Sequence, residues 1–444
     1  MALTALDIYK QLPRTNCKKC GFPTCMAFAM QVAAKQKAMT DCPDLSEEAK
    51  TEMADASTPP MKLVKIGGRD NGFVMGQETV MFRHEEKFHH PSGIAVRIPA
   101  QLSDSEAAVR LDTINNRRFE RVGQELKPAF CGIEIDSCSQ PVARVKLAAE
   151  KSGVPIILIG DNTDTMKACV EAIKNRRPLI YKAGKANIDG FAEIAAAAKV
   201  PLAVQGESLE DLADLTGRAK EKGVEEMILA FHTGKPAETL RQLTKARRAA
   251  LLKNFKPLGY PAMVEIQADS PEAETVLAAT FAAKYASIVL MNGLEPWQLL
   301  PIFTAVQDIY TDPQVPNTVE DKLYEIGNVN ENSPLLFTTN FALTYFCVAG
   351  EVERSKIPAY LAVVETEGMG VLNAYAGDKI SVEKLVKTLE NQGAADKVKH
   401  RKLIIPGLLP VFRAEIEDTS VWEEVIIGPR TAREIPGFLN RIWS

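Results

Sequence analysis

The sequence predicts an α/β protein in three parts: a small N-terminal thiolate domain, a central TIM (β/α)8 barrel and a C-terminal open α/β domain of Rossmann-like type. Three observations predict it. Four of the eight cysteines crowd into residues 17–42, eight β-rich runs alternate with helical stretches between residues 93 and 293, and the alternation resumes on a smaller scale after a Pro/Asn/Asp-rich break. The expected limits are 1–58 for the thiolate domain, 59–310 for the barrel, 311–325 for a linker and 326–444 for the last domain. A chain of 444 residues accommodates two or three such units.

The thiolate domain rests on Cys17, Cys20, Cys25 and Cys42, spaced C-x2-C-x4-C-x16-C with Pro43 after the last. In "CKKCGFPTC", Gly21 permits unusual backbone angles and Pro23 stiffens the turn, so three thiolates can face one centre. "MAFAMQVAAKQKAM" predicts a helix that returns Cys42 to them. A Cys-Pro ending suits a 4Fe-4S cluster, although the spacing matches neither common ferredoxin pattern. A structural zinc is the alternative, since four cysteines also suit tetrahedral Zn. The remaining cysteines, Cys131, Cys138, Cys169 and Cys347, stand singly among apolar or small residues and read as buried inert thiols.

After Pro59 and Pro60, "MKLVKIGGRDNGFVMGQETVMFRHEEKF" predicts two strands joined at a Gly/Asn turn, a lid or bottom hairpin of the barrel. The barrel strands are "GIAVRIPA", "AFCGIEIDS", "PIILIGD", "PLIYKAG", "PLAVQGE", "EMILAFH", "PAMVEIQ" and "SIVLMNG". Helical periodicity fills the gaps, as in "SLEDLADLTGRAKEKG". An open doubly wound sheet is the alternative to closure. Strand ends carry barrel chemistry, which singles out Asp136, Asp161, Asn162, Gln205, Glu207, His232 and Asn292. They contain no metal triad, and His232 suits a structural hydrogen bond better than a base. His84, His89 and His90 read as solvated hairpin residues, so the barrel reads as a platform.

"IYTDPQVPNTVEDKLYEIGNVNENSP" reads as a linker. Beyond it "AYLAVV", "KLIIPG" and "EVIIGP" predict strands that end in Gly/Pro loops, where ligands of open α/β sheets bind. "GMGVLN" allows close approach to a ligand at Gly368 and Gly370, but Asn373 stands where a dinucleotide motif needs its third glycine. Thr338, Thr339 and Asn340 are expected at a helix start before the first of these strands, as caps or as ligand donors.

Composition narrows the partners. A net charge of -4 with 46% hydrophobic and 25% charged residues gives no nucleic-acid footprint. The apolar runs are too short for a membrane span, no secretory signal precedes them, and a cytoplasmic protein is expected.

The whole order of parts resembles the large (gamma) subunit of the corrinoid iron-sulfur protein of the reductive acetyl-CoA (Wood-Ljungdahl) pathway. The resemblance lies in "LPRTNCKKCGFPTCMAFAMQVA" with Cys42-Pro43, in the barrel, and in "TTNFALTYF", "VVETEGMGVLNAYAGDK" and "GPRTAREIPGFL". It implies two cofactors, a 4Fe-4S cluster and a cobalt corrinoid. The corrinoid would take methyl from methyltetrahydrofolate through a methyltransferase and deliver it to the Ni-Fe-S site of acetyl-CoA synthase/CO dehydrogenase. The cluster would reactivate oxidised cobalt with electrons from a ferredoxin-type donor, and a small barrel subunit would complete a heterodimer. Carried over by position, Cys17, Cys20, Cys25 and Cys42 are the cluster ligands. Thr339, Asn340, Phe346, Gly370, Val371, Leu372, Asn373, Ala374, Gly428 and Arg433 fall in the corrinoid-contacting stretches. One departure stands out: the D-x-H-x-x-G that supplies a cobalt-ligating histidine in many corrinoid domains does not occur, and the tail's sole histidine is His400. The competing readings are an electron-transfer or scaffold protein without a corrinoid, and a barrel enzyme with its own substrate.

Overall fold

A computed structural model describes residues 5–33, 37, 41–45, 59–68 and 71–443. These divide into two compact units, one holding the chain up to Arg117 with Lys127–Tyr310, the other Arg118–Leu126 with the chain from Thr311.

In the first unit, α1 (Ala5–Gln11) and α2 (Cys25–Ala33) form the N-terminal region. Ile8, Leu12, Phe28 and Leu45 close a small core around Cys25 and Cys42. The expected helix is described from Cys25 to Ala33, and most of its continuation toward Cys42 lies outside the described residues. Strands β1 (Val64–Ile66) and β2 (Phe73–Met75) pair antiparallel as the expected hairpin. It is a bottom plug: Val64, Ile66 and Met75 pack on Phe130, Ile157 and Leu179 near the barrel strands' N-terminal ends, and Lys65 N–H donates to Glu226, one residue before a strand.

Strands β3 (Gly93–Ile98), β6 (Phe130–Glu134), β7 (Ile156–Ile159), β8 (Leu179–Ala183), β9 (Leu202–Gln205), β10 (Met227–His232), β11 (Ala262–Glu265) and β12 (Ala286–Met291) are parallel neighbours in that order, and β12 pairs back to β3. Closure excludes the open-sheet alternative. The strands read as continuous apolar runs because lumen and helix layer bury both faces. Helices α3 (Asp104–Asn116), α4 (Pro141–Lys151), α5 (Thr163–Ile173), α6 (Ile188–Ala198), α7 (Leu209–Glu221), α8 (Pro236–Lys253), α9 (Pro271–Ala282) and α10 (Pro296–Tyr310) come after the strands. Their local signals are plain: α7 buries Leu212, Leu215, Thr216 and Ala219 along one face, and Ser208 caps it through Asp211 N–H.

Strands β4 (Phe119–Arg121) and β5 (Gln124–Leu126) make a hairpin inserted after α3. It groups with the second unit, where Gly123 (φ +69°) lies against the Phe346 ring. The second unit is a five-stranded sheet in the order β13-β15-β14-β16-β17, comprising β13 (Leu323–Ile326), β14 (Leu335–Thr339), β15 (Ala359–Val364), β16 (Lys402–Ile405) and β17 (Glu424–Ile427). Four strands are parallel and β13 is an antiparallel edge. Two expectations need correction. Leu323–Glu325, expected in the linker, begin β13, and Thr338 and Thr339, expected at a helix start, end the central strand Leu335–Thr339. Thr338 and Thr339 therefore occupy strand positions that suit β-branched residues.

Helices α11 (Ala342–Ser355) and α16 (Ile435–Ile442) cover one sheet face, with Leu336, Leu361 and Ile404 packed on Val352, Ile435 and Leu439. On the other face lie α12 (Val371–Ala376), α13 (Val382–Asn391), α14 (Ala394–Lys397) and α15 (Arg413–Thr419), around Leu335, Phe337, Val364 and Trp422. The connection after β14 runs over the first face and the one after β16 over the second. A ligand crevice forms where connections diverge like this.

Candidate functional site: a thiol cluster and a strand-end cavity

The N-terminal thiols sit on a loop with three non-glycine left-handed residues: Arg14, Asn16 and Lys18 (φ 55°, 47° and 63°). Asn16 Oδ1 accepts from Cys25 N–H at 2.8 Å, and Thr24 Oγ1 caps α2 by accepting from Ala27 N–H. Burial pushes the Cys42 thiol up, the Asp44 backbone opposes it, and Cys20, Cys17 and Cys25 each disfavour its ionisation further. Four thiols therefore converge in mutual electrostatic range, and a cation between thiolates would relieve that repulsion. Lys19 pairs with Asp44 at 2.9 Å beside them. Among the described residues no three His, Cys, Asp or Glu side chains are already set around a single ion. In the 84–90 stretch His84 stacks on Phe82, the His89 ring lies 3.9 Å from Glu86, and the backbone N–H groups of His89 and His90 donate to Glu78.

In the C-terminal unit a cavity of about 330 Å³ opens at the strand ends of β14, β16 and β17, lined by Thr338, Leu343, Thr344, Cys347, Val371, Leu408, Gly428 and Arg430 among others. Thr338 and Thr339 are fully buried, yet both hydroxyls lack a hydrogen-bond partner. Orphaned buried hydroxyls are costly unless a ligand or water completes them. The cavity lining exposes Leu343. Its loops touch through backbone: Gly407 N–H donates to Pro429 O at 3.1 Å, and Gly428 N–H to Ile405 O at 2.8 Å. A largely apolar crevice with few fixed polar groups suits part of the ring face of a large cofactor such as a corrinoid, whose whole volume, with its polar amide arms, exceeds the cavity.

The expected contact residues separate accordingly. Val371 and Gly428 line the cavity, and Thr339 ends the strand beneath it. Leu372 and Asn373 are exposed on α12, Ala374 is buried in the core, and Arg433 is exposed beyond the lining Arg430. Phe346 packs against Gly123 of the hairpin. Asn340 is buried, with Oδ1 turned to the 366–368 loop. Gly368 has φ +71° and needs glycine, whereas a Cβ on Gly370 would meet nothing nearer than Thr344 Oγ1 at 3.5 Å. Thr338, expected as a cap or ligand donor, lines the cavity, whereas sequence reasoning missed Thr344, Gly407 and Arg430.

His400 lies just before β16, at the opposite sheet edge from the cavity. Its Nε2 is 2.9 Å from Ser333 O, its Nδ1 accepts from Lys402 N–H, and its ring meets Trp443 edge-on. Both nitrogens are engaged away from the crevice.

At the barrel's strand ends, Asp161, Asn162, Gln205, Glu207 and His232 line a cavity of about 680 Å³. Asn162 caps α5, and Asn292 N–H donates to Glu274. Inside the barrel is a network that the sequence did not announce. Arg97 bonds Glu134 at 3.1 Å and also Glu265, which accepts from the Tyr181 hydroxyl at 2.8 Å and faces Lys182 at 3.7 Å. Burial works to raise Glu265, but Lys182, Arg97 and Tyr181 outweigh it and hold the carboxyl below its usual range.

No helix among the described residues is long and apolar enough to cross a membrane. Comparison with known proteins places these parts. Residues 12–43 match the family described as "Putative Fe-S cluster", and residues 63–439 the family described as "CO dehydrogenase/acetyl-CoA synthase delta subunit". The corrinoid/iron-sulfur protein large subunit of Moorella thermoacetica is 38% identical, covering 99% of this chain and 98% of its own. The acetyl-CoA decarbonylase/synthase complex gamma subunits of Methanocaldococcus jannaschii and Methanopyrus kandleri are 34% and 35% identical, over 100% and 99% of this chain and 96% and 98% of theirs. Among solved structures, a 7,8-dihydropteroate synthase from Vibrio fischeri covers 56% of this chain and 100% of its own at 12% identity with a TM-score of 0.39, too partial a likeness to bear on function. Matched end to end by such relatives and over most of its length by the delta-subunit model, the chain belongs to the family of corrinoid/iron-sulfur protein large subunits and acetyl-CoA decarbonylase/synthase gamma subunits.

Proposed function

We propose that this chain is the methyl-carrying subunit of a reductive acetyl-CoA pathway complex, with a cobalt corrinoid in its C-terminal domain and a 4Fe-4S cluster at its N-terminus. The observation that carries the reading is the strand-end cavity at the sheet's switch point, with the buried, unpartnered hydroxyl of Thr338 in its lining. Reduced cobalt, when the corrinoid is bound, supplies the nucleophile for methyl transfer. The chain's own residues bind and orient: Thr338, Val371, Gly428 and Arg430 face the cavity, with Thr339 at the end of the strand beneath it, and the contact of the Gly407 and Pro429 loops sets its width. Cys17, Cys20, Cys25 and Cys42 hold the cluster, whose all-thiolate ligation permits the low potentials that reactivation requires. With no D-x-H-x-x-G in the sequence and both His400 nitrogens engaged at the far sheet edge, this domain would offer no histidine to a bound corrinoid. The expected limits of 1–58 and 59–310 fit this division of labour, with the corrinoid domain starting at Thr311 instead of 326 and taking in Arg118–Leu126.

The partners of this reading are a small barrel subunit, a methyltetrahydrofolate methyltransferase, acetyl-CoA synthase/CO dehydrogenase and a ferredoxin-type reductant. Metal analysis with a visible spectrum tests the core of it. The purified complex should carry iron and cobalt on this chain, with a corrinoid band over broad iron-sulfur absorbance. Iron-sulfur absorbance alone would instead favour an electron-transfer or scaffold protein.

A further inference from the structure

Asn340 follows the last residue of the central strand and is 5% exposed. Its side-chain oxygen is a shared acceptor: Thr366 N–H lies 3.0 Å from Oδ1, the Thr366 hydroxyl 3.0 Å and Gly368 N–H 3.1 Å. Its backbone is equally committed, donating to Val364 O and accepting from Val319 N–H. The loop it holds is unusual. Glu367 and Gly368 are both left-handed (φ 56° and 71°), and a Cβ at Gly368 would come within 2.7 Å of Pro316. The Thr366 hydroxyl, with one proton to share, also lies 2.9 Å from Met369 O, and Met369 N–H donates to Thr366 O at 3.1 Å, which closes the turn. Gly370 then starts α12, whose first residue, Val371, lines the cavity. The Asn340 amide nitrogen meets no acceptor among the described residues.

Two left-handed residues in succession do not hold themselves in place. One buried oxygen collecting two backbone N–H groups supplies the constraint, because either group would otherwise be left unsatisfied. We infer that Asn340 is a positioning residue for the corrinoid site: it acts through its carbonyl oxygen, as the acceptor that fixes the 366–370 loop and thereby the cavity wall at Val371, and it does not touch the ligand. The inference rests on the corrinoid reading above.

The two roles predict opposite behaviour for Asn340→Asp, which keeps the acceptor and removes the amide N–H donors. Asn340→Leu removes both. Titration of the full-length, cobalt-free chain with hydroxocobalamin should give Asn340→Asp within about threefold of wild type and Asn340→Leu at least about tenfold weaker. Hydrogen exchange of the cobalt-free chain should show Thr366 and Gly368 amides exchanging about tenfold or more faster in Asn340→Leu and unchanged in Asn340→Asp. Thr366→Val, which removes one of three donors and spares the fold, should weaken binding only a fewfold. The inference is overturned if Asn340→Asp binds as poorly as Asn340→Leu while both amides stay protected, since the amide N–H would then be the contact. It is also overturned if loss of protection in Asn340→Leu leaves affinity unchanged. Wild-type protein that takes up no hydroxocobalamin would overturn the corrinoid reading itself, with the exchange data still reporting on the tether.

Discussion

Gly407→Ala tests whether the cavity rim is as tight as its backbone contacts indicate. A Cβ at this position would lie against Gly428 O, with Pro429 C at 2.7 Å and Arg430 N at 2.9 Å. All three are backbone atoms, so no side chain can swing aside. Accommodation requires the loops after β16 and β17 to separate, which strains packing by about 1 to 3 kcal/mol. It also endangers the 3.1 Å hydrogen bond from Gly407 to Pro429, worth about 1 kcal/mol. The sum, about 2 to 4 kcal/mol, corresponds to a weakening of corrinoid binding by about thirty- to several-hundredfold if the closed rim is needed to hold the ligand. Isothermal titration with hydroxocobalamin reads that loss, and a thermal melt of the cobalt-free chain reads any share already present without ligand. Gly350→Ala is the control: a Cβ there meets nothing within 4 Å, and helix propensity predicts a neutral or slightly stabilising change. Wild-type affinity and melting temperature in Gly407→Ala would refute the reasoning, because the loops could not then be in contact.

Other perturbations separate the remaining parts. Cys20→Ala should lose the chain's iron and keep its cobalt, whereas Cys138→Ala should keep both; iron retained in the first and lost in the second would reassign the ligands. His400→Ala should leave the paramagnetic resonance of the Co(II) form unchanged and free of threefold nitrogen splitting from the protein. A triplet that vanishes on substitution would make His400 a ligand. Glu265→Leu leaves the Tyr181 hydroxyl without its buried acceptor and Arg97 with Glu134 alone, and should cost about 1 to 3 kcal/mol in urea denaturation. Because the native Glu265 pKa is lowered, its stabilisation is present above the ordinary carboxylate pKa and fades as pH falls through the native value, so Glu265→Gln should flatten that acid limb. An unaltered acid limb would refute the role of the network.

The barrel was legible because its strands are buried on both faces and read as unbroken apolar runs, such as "IILI" at 156–159, between amphipathic helices. β14 was not, because the polar run Thr338-Thr339-Asn340 that ends it sits directly before a helix and reads as that helix's cap. β13 sat in a segment rich in Asn and Asp, where four residues of edge strand leave little pattern. The β4–β5 hairpin is too short and too polar to declare itself. The expectation of a thiol cluster was readable because three of its four cysteines fall within nine residues, Cys17 to Cys25. The cavity was only half readable, since its walls come from segments 336–348, 404–408 and 428–435 that meet solely through the sheet order. The glycine pair showed the same limit. Gly368 is required by its backbone angle and Gly370 is not, a difference invisible in "GMG". Inside the barrel, Arg97, Tyr181 and Glu265 come from separate strands and acquire meaning only on closure.

The measurement that bears most directly on the methyl-carrier account tracks a labelled methyl group. The reduced complex is incubated with methyl-labelled methyltetrahydrofolate and the methyltransferase, and the isolated chain is then assayed for label and cobalt. The account predicts label on this chain in an amount matching its cobalt, chased off by acetyl-CoA synthase with CO and CoA, and absent from Gly407→Ala protein that has lost its cobalt. A chain that holds reduced iron-sulfur and cobalt yet never acquires label, or one labelled equally well without cobalt, would contradict it.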